Sequence, residues 1–248
     1  TIAAHQGKRI ISRSRESILR EIEIISEDKD FKGYLSDLGG PSANMYMMKG
    51  KNDELCRKCL RPSCLYPSLC KNMNNDHKPL LELYEAVRKL PYIKKAFVGS
   101  GIRYDLFDKS NYFEILCRHH VSGRLKVAPE HSSDRVLKQM RKMPFSQFVN
   151  LKKSFEQINK RYGLKQQLIP YFISSHPACE MRDMVDLASQ TAALGYRLQQ
   201  VQDFTPTPMT IATETYYTGI DIYTGEKVFT EKNPAAKQMQ NRIFFWYK

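Results

Sequence analysis

Apolar residues recur at two periods along this chain. Ile18, Ile22 and Ile25 follow Ser14 at helical spacing, so 14–28 is predicted as a helix with Ser14 at its N-cap. The same period places Leu80, Leu83, Tyr84 and Val87 on one face of a helix over 79–90, with Pro79 in its first turn. Further helices are predicted over 105–119, from about Ser133, over 146–162 with Gly163 as its stop, over 180–194 with Gly195 as its stop, and over 234–247. Short apolar runs predict strands at 31–38, 94–99, 124–128, 167–174 and 197–204. A hairpin is expected over 216–230, turning at Thr224-Gly225. Residues 50–76 show little periodicity and read as an irregular insertion.

No two of the five core strands are joined by a tight turn. Helical crossovers between strands imply a parallel sheet and an α/β fold class. Five strands are too few for a closed eight-stranded barrel, so the sheet is expected to be open or the barrel partial. In such folds the chemistry gathers at the C-terminal strand ends. Those ends are Asp37–Pro41, Gly99–Arg103, Ala128–His131, Ser174–Pro177 and Asp203–Pro206, all rich in Gly, Pro, Ser or charge.

Composition narrows the class. The 248 residues are 42% hydrophobic and 26% charged, ordinary values for a globular chain. No apolar run reaches the roughly twenty residues of a spanning helix, and no leader is visible, so a cytoplasmic protein without a membrane partner is expected. Thirty-nine Lys and Arg against 26 Asp and Glu give a net charge of +13. Nine Lys or Arg against two acids fall between Ser133 and Lys165. That stretch is a candidate surface for RNA or another polyanion, with an acidic neighbouring domain as the competing account.

Four of the six cysteines lie within 56–70. Cys56 and Cys59 have the C-x2-C spacing of a metal knuckle, and Cys64 and Cys70 complete a candidate tetrahedral set for zinc or an auxiliary iron–sulfur cluster. The alternative is a reduced loop whose thiols stay idle. Cys117 and Cys179 sit in or beside apolar patterns and are expected to be buried thiols. Gly39-Gly40 offers a backbone that a ligand can approach closely. Arg103 and Asp105 are candidates for holding a polar ligand or for pairing with each other. Lys126 and Glu130, four apart around a strand end, are expected to point inward as a pair. His131 and His176 are candidate acid/base groups or hydrogen-bonded loop residues. No G-x-S-x-G, H-E-x-x-H or P-loop is present, so hydrolase and P-loop readings have no support.

Taken together, the strand-end segments 36–45, 99–105, 125–131, 171–177 and 202–208, with Cys59-Leu-Arg-Pro-Ser-Cys64 and 76–79, resemble those of the YgiQ-type radical S-adenosylmethionine proteins. The resemblance covers essentially the whole chain. It implies a partial six-stranded (βα) barrel, lacking its first strand here, with the Cys-rich insertion at about 50–76. Residues 1–212 would form this core and 213–248 a C-terminal hairpin and helix extension. The family's first strand carries a C-x3-C-x2-C loop for a [4Fe-4S] cluster. None of the six cysteines has that spacing, so the cluster ligands are expected N-terminal to Thr1, and the chain reads as a fragment. By strand order the resemblance assigns Gly39, Gly40, Pro41, Ser100, Arg103, Lys126, Glu130, Thr205 and Pro206 to S-adenosylmethionine. It implies reductive cleavage of that cofactor to a 5′-deoxyadenosyl radical, served by an external reductant and acting on an unknown substrate. The alternative is a non-catalytic, metal-stabilised module that binds RNA or another polyanion.

Overall fold

In a computed structural model, residues 4–5, 7, 9–40, 42–107 and 110–247 are described. The elements follow the predicted alternation. Helix α1 (Arg15–Ser26) begins at Ser14, whose side chain accepts the Ser17 amide. Strand β1 (Tyr34–Leu35) precedes the Cys-rich segment, where β2 (Lys49–Gly50), α2 (Asp53–Arg57) and β3 (Met73–Asn74) are found. Then come α3 (Lys78–Arg88), β4 (Lys95–Ala96), a 3-10 turn (Tyr104–Leu106), α4 (Tyr112–His119), β5 (Arg124–Glu130), α5 (Asp134–Met140) and α6 (Phe145–Tyr162). The chain continues through β6 (Gln167–Ser174), α7 (Met181–Ala193), β7 (Gln200–Asp203), α8 (Ile211–Thr218) and α9 (Pro234–Ile243).

The fold class is α/β, with parallel strand pairing. β1 and β4 pair in parallel, Tyr34 opposite Lys95. β5, β6 and β7 form one sheet in that order, and β6 and β7 run parallel with Tyr171 opposite Gln200. Among the described residues the sheets do not close into a barrel. Two expectations are corrected. The insertion is not wholly irregular, because β2 and β3 form an antiparallel ribbon at its base. The region 216–230 is not a two-stranded hairpin: it opens with the last turn of α8 and holds only an Ile220–Lys227 bridge. Gly225 does sit at its turn, with φ +72°.

The chain divides into two compact units, 9–127 with 151–168, and 128–150 with 169–248 and 1–8. The first packs Leu80, Leu83, Tyr84 and Val87 of α3, all buried as the periodicity predicts. Tyr112 of α4 stacks on His77 at 4.3 Å between centroids. The second is built on an aromatic cluster in which Phe148 of α6 lies 5.4 Å from Phe145 and 6.4 Å from Phe172 of β6. Strand alternation sorts the faces of β6: Leu168, Pro170, Phe172 and Ser174 are buried, while Ile169, Tyr171 and Ile173 are half-exposed.

Candidate functional site

In the unit holding β1 and β4, the two strand ends are fastened by one carboxylate. Asp37 Oδ1 accepts the amides of Gly99 at 2.9 Å and Ser100 at 3.2 Å, and Oδ2 accepts the Ser100 hydroxyl. Gly39 is required by this closeness. A Cβ there would lie 2.6 Å from Asp37 Oδ1 and 3.2 Å from Ser100 Oγ. At Gly40 a Cβ would meet nothing within 4 Å, so its backbone faces open space. Pro41 lies outside the described residues. The loop continues to the buried Asn44, whose side chain accepts the Arg103 amide at 2.7 Å and donates to the Arg103 carbonyl at 2.8 Å. Arg103 itself makes a bidentate pair with Asp105, at 3.0 and 2.5 Å. The structure therefore brings Gly39 and Ser100 together and gives Arg103 a carboxylate partner. Ser100 donates to Asp37 and Arg103 is neutralised by Asp105, so each presents hydrogen-bonding atoms without a net charge.

Lys126 and Glu130 do not form the inward pair expected. Lys126 is exposed on β5. Glu130 Oε1 instead pairs with Lys142 Nζ at 3.2 Å. The reason is local geometry: Glu130 has φ +69°, so the strand's alternation ends there and its side chain is re-aimed. Its other oxygen, Oε2, is buried and has no hydrogen-bond partner. Such an atom is costly to leave unmet and marks a place where a donor belongs. Beside β7, Thr205 is exposed and Pro206 half-buried. Before them, Asp203 accepts the Ser174 hydroxyl and the Asn241 amide at 3.0 Å.

The end of β6 is held from α9 by Gln240. Its buried Oε1 accepts the Ser175 amide at 3.0 Å, the Ser175 hydroxyl at 3.1 Å and the Cys179 thiol at 3.5 Å. Ser175, like Glu130, is a non-glycine residue with positive φ, at +57°. His131 Nδ1 accepts the Ser133 amide at 3.0 Å, and its Nε2 lies 3.5 Å from Cys179 Sγ. His176 Nδ1 lies 2.9 Å from the Pro177 carbonyl. Burial holds both imidazoles down to about 4 and pushes the Cys179 thiol up to about 12. These groups are neutral and bonded, which makes them supports for the strand ends. Cys117 is buried as expected, with its thiol also pushed up to about 12 by burial.

In the Cys-rich segment Cys56 and Cys59 are exposed, and Cys64 and Cys70 half-buried. Among the described residues no three His, Cys, Asp or Glu side chains are assembled around a metal position. The cysteines form two local pairs, linked by the Cys59 amide to the Cys56 carbonyl at 3.3 Å and by the Cys70 amide to the Cys64 carbonyl at 2.8 Å. Much of the basic surplus of 133–165 is bound internally. Arg135 pairs with Glu180 and Asp183, Lys142 with Glu130, Lys152 with Glu156, Arg161 with Glu114, and Arg141 lies 3.5 Å over the Tyr223 ring. No helix is long and apolar enough to cross a membrane, among the described residues.

Asp37, Asn44 and Gln240 were not singled out by sequence reasoning. Asp37 and Asn44 lie inside the 36–45 segment, where a short polar residue before or after a glycine pair is a usable signal. Gln240 carries no local signal, because its partners lie 61 and 65 residues away.

No protein-family model matches the chain. Its whole length is similar to a stretch of proteins named UPF0313 protein. It is 57% identical over 259 aligned residues to one from Bacteroides thetaiotaomicron, covering 100% of this chain and 42% of that protein. A UPF0313 protein of Porphyromonas gingivalis is 56% identical (100% and 41% covered), and one of Methanocella arvoryzae 47% identical (100% and 41%). The chain thus spans about two fifths of the length of these curated relatives.

Proposed function

We propose that this chain is the S-adenosylmethionine-binding core of a radical S-adenosylmethionine enzyme. In this reading it forms part of a (βα)6 barrel, and residues preceding Thr1 hold the [4Fe-4S] cluster. The observation that carries the proposal is the Gly39-Gly40 loop. It is locked against Ser100 by Asp37, forbids a Cβ at Gly39 and opens its backbone at Gly40. Peptide groups presented this way can bond the ammonium and carboxylate of an amino-acid moiety without a side chain between.

Two further polar side chains of the same unit suit this ligand. The Arg103 guanidinium, oriented by its pairing with Asp105, is a donor suited to a carboxylate or ribose oxygen, and Ser100 Oγ, whose proton goes to Asp37, can accept from a hydroxyl or ammonium. In the other unit, Glu130 Oε2 is, taken by itself, a buried acceptor in want of a donor. When bound, the cluster would supply the electron for reductive cleavage of the sulfonium. The residues here bind, orient and shield. The exposed Lys126 has no assigned contact in this scheme.

The test uses the full-length protein, reconstituted with iron and sulfide without oxygen. With dithionite and S-adenosylmethionine it is expected to release 5′-deoxyadenosine, and Gly40→Ala is expected to weaken cofactor binding. A protein with an intact cluster that neither binds S-adenosylmethionine nor forms 5′-deoxyadenosine would refute the reading.

A further inference from the structure

Gly39 and Gly40 are carried between two fixed points on the neighbouring strand end. Before them come the Asp37 clamp and the Leu38 amide, which donates to the Phe97 carbonyl at 2.6 Å. After them the Ala43 amide donates to the Gly101 carbonyl at 3.0 Å. Asn44 then holds Arg103 by both of its backbone groups, as a paired strand would.

This second tie has a third partner. Asn44 Oδ1 faces the Arg103 amide, so Nδ2 is the group turned to His77, 3.3 Å from its Nε2. One Nδ2 hydrogen goes to the Arg103 carbonyl, and the other meets the imidazole with Nε2 as acceptor. The flipped amide would set oxygen against oxygen at Arg103, so the orientation is fixed. Both side chains are buried. His77 itself stands where a helix cap is expected, just before α3, yet its side chain makes no capping bond. It turns to Asn44 instead. Its ring is stacked on Tyr112 and lies edge-on to Phe107 at 6.2 Å between centroids. Two residues earlier, Asn75 Nδ2 donates to the Leu106 carbonyl at 3.0 Å. Residues 75 and 77 therefore grip both ends of the Arg103–Leu106 segment, Leu106 directly and Arg103 through Asn44.

We propose that Asn44 and His77 are positioning residues for the cofactor. Asn44 sets the backbone from which the Arg103 guanidinium projects and closes the far side of the glycine loop. His77 holds Asn44 in the one orientation that does both. Neither side chain touches the ligand in this scheme. Their effect is preorganisation, since a loop already fixed loses less freedom when the ligand binds. The inference rests on the S-adenosylmethionine reading and adds to it the residues that keep the site in shape.

The experiment compares His77→Leu, which removes the acceptor, with His77→Gln, whose amide oxygen can accept from Asn44. Both are made in the full-length protein with its cluster reconstituted. Hydrogen exchange is read at the Arg103 amide, S-adenosylmethionine affinity by isothermal calorimetry, and 5′-deoxyadenosine formation at saturating cofactor. His77→Leu is expected to quicken Arg103 exchange and to weaken affinity roughly 10-fold, with little change in the rate at saturation. His77→Gln is expected to stay within about twofold of the parent in all three. Asn44→Ala removes the tie from the other side and is expected to match or exceed His77→Leu. Equal losses in His77→Leu and His77→Gln overturn the proposal, as does unchanged affinity in Asn44→Ala. Protection lost evenly over the unit, without Arg103 standing out, also overturns it, because that is the mark of a structural role alone. A parent protein with an intact cluster that binds no S-adenosylmethionine refutes the cofactor reading itself. A parent that binds, with His77→Leu and His77→Gln alike, refutes only the positioning role, so the two failures are told apart.

Discussion

Replacing Gln240 with Leu tests whether one buried amide holds the end of β6. The side chain is 1% exposed, and its Oε1 accepts three hydrogen bonds, two of them from Ser175. Leu fills a similar volume and accepts none of them. The Ser175 amide is then buried without a partner, at a cost of about 1–3 kcal/mol. The Ser175 hydroxyl and Cys179 thiol can rotate toward other acceptors, so they add little. The expected loss is therefore about 1–3 kcal/mol. It is concentrated at Ser175, whose left-handed backbone needs an external tie. Hydrogen exchange read at the Ser175 amide should quicken roughly 5- to 150-fold, the equivalent of that free energy. A Phe148→Ala control, which damages the aromatic core instead, should lower protection throughout its unit without singling out Ser175. If Gln240→Leu leaves Ser175 as protected as in the parent protein, the bond is not what holds the loop and the reasoning is wrong.

Phe148 is 0% exposed within the Phe145–Phe172 cluster, so its truncation to Ala should cost about 3–5 kcal/mol, read as a lowered urea midpoint. Gly39→Ala and Gly40→Ala separate packing from binding. The first should break the Asp37 clamp and lower both stability and S-adenosylmethionine affinity, while the second should fold normally and lose affinity alone, by isothermal calorimetry. A Gly40→Ala protein with unchanged affinity would move the cofactor away from this loop. Burial holds His120, His131 and His176 near 4, well below the 6.5 of an unfolded histidine. Between those values the unfolded chain takes up more protons, so stability present above 6.5 is lost as pH falls toward 4. By about pH 5 each contributes a loss of about 2 kcal/mol, and urea midpoints across that range should fall less steeply in His131→Asn.

The elements were legible because their signals are local. Ser14 capping α1, the Leu80–Val87 face and the β6 alternation each lie within one turn or strand. What escaped is long-range. The β2–β3 ribbon is two residues a side, too short to show alternation. Lys126 and Glu130 share a strand phase, and the expectation of a pair followed from that. The left-handed backbone at Glu130 and the arrival of Lys142 from the α5–α6 connection decided otherwise, and neither is encoded in spacing. The polar strand ends were located in the sequence, but the clamps at Asp37, Asn44 and Gln240 depend on which ends the fold brings together.

Glu130 and Ser175 each stand immediately at or after the end of a long strand in a backbone region that glycine occupies more cheaply, by about 1 kcal/mol per position. A selection for thermal stability alone would therefore be drawn to glycine at both. At Glu130 that choice would erase the buried acceptor, and at Ser175 the hydroxyl that meets Gln240. At both residues the backbone cost is set against side-chain contacts that only these residues make, Glu130 with Lys142 and Ser175 with Gln240. Libraries built to toughen this chain should hold both positions fixed.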